Sequence, residues 1–279
     1  MFKSEEKGRI SMNIGIIGYG SMGKMLLERF IETKDISDEL YVSNRSLEKI
    51  SHLINKVNVC EDNSELAENA QVIIICVRPG DIRSVLEDIK KTVSDDSIII
   101  SLNGSVSFET LGKIVSHKMA KVIPSVTAEI NRSQTLMCFN EYMTSTDKEK
   151  ILNLFKCMGN VIVLPENELG MGSELVSCMP GFIASIFDVI CSSAKKHTSI
   201  SEKQIINMVL DTLCATGELM IDKKMSFNEI VNRVATKGGI TEEGTKVIYE
   251  SFPAIADELF YKTLEKRKQT AHKSEESFQ

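Results

Sequence analysis

Short apolar runs alternate with segments of helical periodicity through the first part of the chain. Each run is too short for a helix and ends at glycine, proline or polar residues. The runs predicted to form strands cover residues 14–17, 40–42, 57–59, 72–77, 97–102, 121–123, 135–139 and 161–164. Helices are expected at 80–91, from about 107 and at 146–157. This order predicts an α/β fold with a Rossmann-type, doubly wound parallel sheet, in which the last two runs are edge strands.

Beyond about Pro165 the strand-like runs cease and the pattern becomes helical. Helices are predicted at 173–195, 201–221, 226–234, 242–249 and 253–268. Pro180 lacks a backbone donor, so the first of these helices should kink near its start. The rest of that helix is apolar on more than one face and needs partners, either within its domain or from a second copy of the chain. The polar chain from Glu265 onward is expected to fray.

The first apolar run leads into a glycine-rich turn that is followed by a helix. This turn comprises Gly18, Tyr19, Gly20, Ser21, Met22 and Gly23. In a G-x-G-x-x-G turn the first glycine makes the bend, the second leaves room for a pyrophosphate and the third lets the helix lie close to the strand. The helix start adds free N–H groups and the positive end of its dipole. These features predict a dinucleotide site; the alternative is a glycine turn without a ligand.

The second run ends in a basic segment, at the point where dinucleotide-binding folds contact the adenosine ribose. NAD enzymes commonly place Asp or Glu there to bind the 2′-hydroxyl. This chain has Asn44, Arg45 and Ser46 instead, and a guanidinium suits a 2′-phosphate. The sequence therefore favours NADP(H), with NAD(H) as the alternative. A purely structural interpretation is that Ser46 caps the next helix and Arg45 is solvated.

Three later runs should end at the same edge of the sheet as the glycine turn. Ligands of doubly wound sheets bind beyond the carboxyl ends of the strands. The residues expected to meet there are Val77, Arg78, Pro79, Asn103 and Gly104, as cofactor contacts, and Ser125, on the substrate side.

Composition narrows the class of protein. The chain has 279 residues, of which 42% are apolar and 26% charged, and a net charge of −6, which argues against a nucleic-acid binder. No run approaches eighteen consecutive apolar residues and no apolar signal core begins the chain, so a cytoplasmic protein without membrane contact is expected. The seven cysteines form no C-x-x-C pair and the four histidines are scattered, which predicts free thiols and no metal site.

A second glycine-bearing loop separates two predicted helices. It contains Lys237, Gly238 and Gly239, followed by Thr241, which can cap the next helix. Successive glycine N–H groups that point one way can capture an anion such as a carboxylate. A simple helix-to-helix turn with a glycine C-cap is the alternative.

With these segments placed, the chain resembles the Δ1-pyrroline-5-carboxylate reductase family from Ile14 to about Ala256. The family's A-V-K-P segment corresponds to residues 76–79, and its substrate loop V-T-S-P-G-G-T-T corresponds to residues 234–241. A family asparagine on the adenosine side falls on Asn63. Residues 123–127, 175–181 and 236–241 depart from the common pattern and resemble the ComER late-competence branch, with I-P-S-V-T, V-S-C-M-P and K-G-G-I-T.

The resemblance implies a two-domain reductase whose active sites are completed by both subunits of a homodimer or higher oligomer. It implies an NADP-binding domain over 13–165 and a helical dimerisation and substrate domain over 166–268. Residues 1–12 are then a flexible extension or a start-site artefact, and 269–279 a polar tail. NADPH would reduce an imine carboxylate, pyrroline-5-carboxylate, to proline.

The resemblance also implies residue roles. The amides of Gly238 and Gly239 would hold the carboxylate, and Thr241 would be catalytic, with its hydroxyl on the ring nitrogen. Lys237 would add charge or point to solvent. Ser177 and Ile240 are carried over as further substrate contacts. Two other functions stay open, namely a nucleotide-sensing regulatory protein that has lost catalysis and a related reductase of imine or keto acids.

Overall fold

A computed structural model describes residues 12–33, 39–276 and 278. The predicted extension 1–12 lies outside the described residues except for Met12. The chain divides into two compact units. One contains the chain up to Pro180 together with the part from Leu264 onward, and the other is Gly181–Thr263.

The first unit is built on an eight-stranded sheet, as the apolar runs predicted. Its strands are β1 Ile14–Ile17, β2 Leu40–Ser43, β3 Asn58–Val59, β4 Val72–Ile75, β5 Ile98–Ser101, β6 Met119–Ile123, β7 Ser133–Phe139 and β8 Gly159–Val163. The spatial order is β3-β2-β1-β4-β5-β6-β7-β8, and every neighbouring pair is parallel except β6 and β7. The first six strands have the Rossmann order.

The prediction that both final strands are edges was wrong for β7. This strand pairs with β6 on one side and with β8 on the other, so β8 alone of the two forms the edge. The connection from β6 to β7 is residues 124–132, which contain the 3₁₀ turn Val126–Ile130 and then Asn131, with a left-handed φ of 57°. Such a connection is too short for a helical crossover, and β7 therefore returns antiparallel to β6.

Helices cover both faces of the sheet and form two apolar layers. The helices that lie between its strands in sequence are α1 Ser21–Glu32, α2 Asn63–Asn69, α3 Ile82–Ile89, α4 Phe108–Gly112 and α5 Ser145–Lys156. Side chains of β1 alternate between the layers, with Ile16 packing on the α1 and α5 side and Ile17 on the α2, α3 and α4 side. The two layers fix the loops at the carboxyl ends of the strands.

The remaining helices are α6 Leu169–Ser173, α7 Met179–Lys195, α8 Glu202–Lys223, α9 Phe227–Val234 and α10 Ile240–Glu276. The predicted helix 173–195 is interrupted by a π-helical turn, Glu174–Cys178, directly before Pro180. The predicted helices 242–249 and 253–268 are one helix with Pro253 inside it. Proline removes one helical hydrogen bond, but the neighbouring turns of a 37-residue helix still propagate through it. The expected fraying from Glu265 was also wrong, since α10 continues to Glu276.

One stretch, Glu166–Lys195, is apolar enough by length and composition to cross a membrane, contrary to the sequence prediction. An 18-residue window within it has a mean hydropathy of 1.8 and is unburied in the single chain. A helix that is apolar on several faces requires a partner, and core or interface helices have this composition too. By itself one such helix is weak evidence for a membrane span.

Candidate active site

Two of the three glycines in the turn are required by their surroundings. Gly18 has a φ of +98°, which L side chains rarely adopt, and a Cβ there would lie 2.8 Å from the carbonyl oxygen of Cys76. A Cβ on Gly23 would lie 2.0 Å from the carbonyl oxygen of Gly18. By contrast, no described atom lies within 4 Å of a Cβ on Gly20. The turn thus packs tightly on its inner side and is open at Gly20.

The start of α1 offers unsatisfied donors beside this open position. Among the described residues no side chain caps the helix, and its first turn carries no acid. The first N–H groups of a helix have no partner inside the helix. The amides of Ser21, Met22 and Gly23 therefore remain for a ligand, together with the positive end of the dipole. The neighbouring Tyr19 amide donates instead to Asn44 Oδ1 at 3.0 Å.

The segment after β2 is held by Asn44. Its Oδ1 accepts from Tyr19, and its Nδ2 donates to the Ser46 carbonyl at 2.8 Å. Within the described chain the Ser46 side chain makes no capping hydrogen bond, so the structural alternative for this residue is not observed. Arg45 is exposed and pairs with no carboxylate among the described residues. Arg45 therefore follows directly on a residue held by two hydrogen bonds, and its guanidinium has no carboxylate partner in the described part of the chain.

Asn63 lies beneath the end of β2. Its Oδ1 accepts from Ser43 Oγ at 2.8 Å and its Nδ2 donates to Asp88 Oδ2 at 2.9 Å. The side chain thus ties α2 and α3 to β2, the strand that Arg45 follows in the chain. Sequence reasoning missed Asp88, because nothing in its local pattern distinguishes it from any exposed acid on a helix.

The loops after β4 and β5 reach the same edge of the sheet. Val77 Cγ1 lies 3.0 Å from the Cβ position of Gly18, whereas Arg78 is exposed and precedes the 3₁₀ turn Pro79–Asp81. Asn103 Oδ1 accepts from the amides of Ser105 and Val106 at 2.6 and 3.3 Å. Asn103 therefore has a structural role in its turn besides the cofactor contact predicted for it.

Gly104 and Ser125 pack closely against neighbouring residues, whereas Ser177 is partly exposed. A Cβ on Gly104 would meet Ile123 Cδ1 at 2.7 Å. Ser125 is only 2% exposed, and its amide donates to Ser133 Oγ at 3.1 Å. Ser177 is half-buried in the π-helical turn Glu174–Cys178.

The same π-helical turn contains a buried carboxylate that the sequence did not reveal. Arg267 donates through Nε and Nη2 to Glu174 Oε1 at 3.1 and 2.8 Å. Glu174 is 1% exposed, and its Oε2 has no hydrogen-bond partner among the described residues. Burial raises the pKa of the Cys178 thiol, and the Glu174 charge raises it further. A separation of 93 residues hides the Arg267 pair from any local pattern.

A second ion pair, in which only the lysine is buried, joins β6 to the segment after β8. Lys121 is 1% exposed, and its Nζ forms a close ion pair with Glu166 Oε1. The Phe108 amide donates to the same oxygen at 2.8 Å, and the Phe108 ring centroid lies 4.9 Å from Lys121 Nζ. The sequence predicts Lys121 only as a strand residue, although a lysine in an otherwise apolar strand is a signal for such a pair.

In the second glycine loop, the N–H groups of both glycines donate hydrogen bonds to acceptors of the same chain. Gly238, with a φ of +73°, donates its N–H to Glu242 Oε2 at 2.7 Å, and Gly239 donates to the Thr236 carbonyl at 2.8 Å. Because α10 begins at Ile240, Thr241 lies within the first helical turn and does not cap the helix as predicted. Ile240 is 94% exposed in the single chain, and Lys237 is also exposed.

The described part of the chain contains no candidate metal site. No group of three or more His, Cys, Asp or Glu residues there is arranged to hold a metal ion. The seven cysteines are free thiols.

A Rossmann-order sheet with an open glycine turn at an uncapped helix defines a dinucleotide-binding protein of the oxidoreductase class. Residues 13–104 match the family model described as NADP oxidoreductase coenzyme F420-dependent, and residues 166–270 match that for pyrroline-5-carboxylate reductase dimerisation. Pyrroline-5-carboxylate reductase 3 of Bacillus subtilis is 34% identical, with 91% of this chain and 94% of that protein covered. ComE operon protein 4 of the same organism is 30% identical over 90% of this chain and 94% of its own length.

The chain belongs to the pyrroline-5-carboxylate reductase family. Among solved structures, a Plasmodium falciparum pyrroline carboxylate reductase with NADP bound has a TM-score of 0.82 at 23% identity, covering 93% of this chain and 98% of that one. This likeness supports the fold. The family and the fold class predicted from the sequence, a mostly parallel sheet followed by helices, are both confirmed.

Proposed function

We propose that this protein uses NADPH to reduce pyrroline-5-carboxylate to proline. The observation that carries the proposal is its similarity along nearly the whole chain to a reductase named for this substrate, at 34% identity over 257 residues. The relatives identify the reaction class, and the site residues define how this chain would carry it out.

The residues of the first unit fit a phosphorylated dinucleotide. Space is open at Gly20, the amides of α1 are free for a pyrophosphate, and the unpaired Arg45 suits a 2′-phosphate. The bound cofactor would supply a hydride to the imine carbon, and the ring nitrogen would take up one proton from water. Because the cofactor supplies the hydride, the protein has only to bind and orient the cofactor and the substrate and to exclude water. A catalytic His/Asp pair is not needed for this.

The loop 236–241 would hold the substrate. Its glycine amides would bind the carboxylate, and the exposed Thr241 hydroxyl would donate to the ring nitrogen. The family's dimerisation model covers residues 166–270, which supports a homodimer formed through the C-terminal helices. Such a dimer would also provide partners for the exposed apolar faces of α7 and α8, including Val189 and Met208.

Purified protein, NADPH and pyrroline-5-carboxylate test this function directly. Loss of nicotinamide absorbance at 340 nm, together with formation of proline, is the expected result. A panel of other imine and keto acids tests the related-reductase alternative. The Thr241→Ala variant should lose far more turnover than NADPH affinity, and an equal loss of both would contradict its assigned role.

A regulatory nucleotide sensor is the second candidate function. It is favoured by one observation, that Glu242 of the chain itself occupies the Gly238 amide. Tight NADPH binding with no turnover of any substrate in the panel would support this candidate over the reductase.

A further inference from the structure

Glu242 turns its carboxylate back onto the loop that precedes α10. Its Oε2 accepts from the Gly238 N–H at 2.7 Å, and Lys246 Nζ lies 3.9 Å from the same oxygen. The Glu242 side chain is 34% exposed. One of the two glycine amides assigned to the substrate carboxylate therefore already holds a carboxylate of the chain.

We propose that Glu242 competes with the substrate carboxylate and thereby sets the selectivity between cyclic imines with and without an acid group. This inference rests on the proposed function. One N–H group cannot satisfy two carboxylates at full strength, and like charges this close repel each other. An imine carboxylate must displace the Glu242 oxygen to bind, whereas a neutral imine need not.

A cationic side chain, that of Lys246, lies within reach of the Glu242 carboxylate and also pairs with Glu243. Lys246 lies one helical turn further along α10, at the spacing that brings i and i+4 side chains together. The glutamate is partly exposed, so its charge can remain hydrated and paired after displacement. A substrate carboxylate can consequently replace the Glu242 carboxylate at the Gly238 N–H.

Glu243 provides a matched control. It is the next residue in the same first turn of α10, and its Oε1 pairs with Lys246 Nζ at 2.7 Å. Its side chain is 70% exposed and, unlike Glu242, has no hydrogen bond to the Gly238 amide. Both carboxylates lie in the first turn, so removing either charge should weaken the favourable interaction with the helix dipole by about the same amount. A general effect of charge or helix stability would therefore appear in both variants.

The test compares wild type, Glu242→Gln and Glu243→Gln with pyrroline-5-carboxylate and with 1-pyrroline, which lacks the carboxylate. Glutamine keeps an acceptor for Gly238 but removes the repelling charge. Glu242→Gln should lower KM for pyrroline-5-carboxylate by about fivefold or more, with kcat and the KM for NADPH within about twofold. Its kcat/KM for 1-pyrroline should not change, and Glu243→Gln should behave as wild type.

Three results would overturn the inference. One is an unchanged or higher KM for the acid in Glu242→Gln, which would mean that the contact shapes the loop for binding. Another is an equal change for both imines, and the third is the same change in Glu243→Gln. If wild type turns over neither imine, the proposed function fails, and calorimetric binding of L-proline to the protein with NADP⁺ takes over as the readout. Binding by Glu242→Gln must then be at least about fivefold tighter than by wild type, and equal or absent binding refutes the competition.

Discussion

The Cβ position of Gly23 lies 2.0 Å from the carbonyl oxygen of Gly18, so the first helix and the first strand meet without room for a methyl group. That oxygen belongs to backbone, which cannot move aside as a flexible side chain can. Gly23→Ala should therefore lower the free energy of unfolding by about 2 kcal/mol or more, measured by urea denaturation.

Gly20→Ala provides the contrast, because no described atom lies within 4 Å of its Cβ position. The variant should unfold within about 0.5 kcal/mol of wild type but bind NADPH at least about tenfold more weakly, since the methyl group enters the space for the pyrophosphate. Equal NADPH affinity in Gly20→Ala and wild type would contradict the assignment of this turn to the cofactor.

Arg45 is expected to decide between the two nicotinamide cofactors. Charge-assisted hydrogen bonds to a phosphate are worth about 1.5–3 kcal/mol, so Arg45→Gln should raise the KM for NADPH about tenfold to a hundredfold. NADH lacks the 2′-phosphate, and its KM should not change. Lys49→Gln, an exposed cation on the next turn, is the control. A parallel loss for NADPH and NADH would mean that Arg45 does not contact the 2′-phosphate.

The Arg267–Glu174 pair should contribute to stability through the burial of its acid. Arg267→Met leaves the Glu174 charge buried without its partner, and we expect a loss of about 2–4 kcal/mol in the free energy of unfolding. The double variant with Glu174→Gln should recover much of that loss, because no uncompensated charge remains. Additive losses in this double-mutant cycle would show that the two side chains are not coupled.

His117 should make stability depend on pH below about 6.5. Burial lowers the pKa of this histidine below its ordinary 6.5, and its Nε2 has no partner among the described residues. The unfolded chain then binds the proton more readily than the folded chain, so stability falls as pH drops through 6.5 toward the folded pKa. His117→Gln should flatten this part of the profile, whereas His197→Gln, at an exposed position, should not. An identical pH profile for wild type and His117→Gln would refute the assignment.

Local patterns predicted the sheet, because strands buried on both faces and a glycine turn leave clear signals in the sequence. They failed where long-range pairing decides, as for β7, which lies inside the sheet, and for Pro253, which α10 tolerates. In the site, a Cβ on Gly18 or Gly23 would lie 2.8 or 2.0 Å from a backbone carbonyl oxygen, so the need for glycine at both positions could be predicted from the turn pattern. The sequence did not reveal the role of Glu242, because a glutamate in the first turn of a helix is common. Its carboxylate accepts a hydrogen bond from the Gly238 N–H.

The most direct test of the account is the rate of NADPH oxidation by the purified wild-type protein with pyrroline-5-carboxylate, coupled to measurement of proline. We predict stoichiometric conversion of imine and NADPH into proline and NADP⁺. Tight NADPH binding without any proline, under conditions in which a known pyrroline-5-carboxylate reductase is active, would contradict the proposed function.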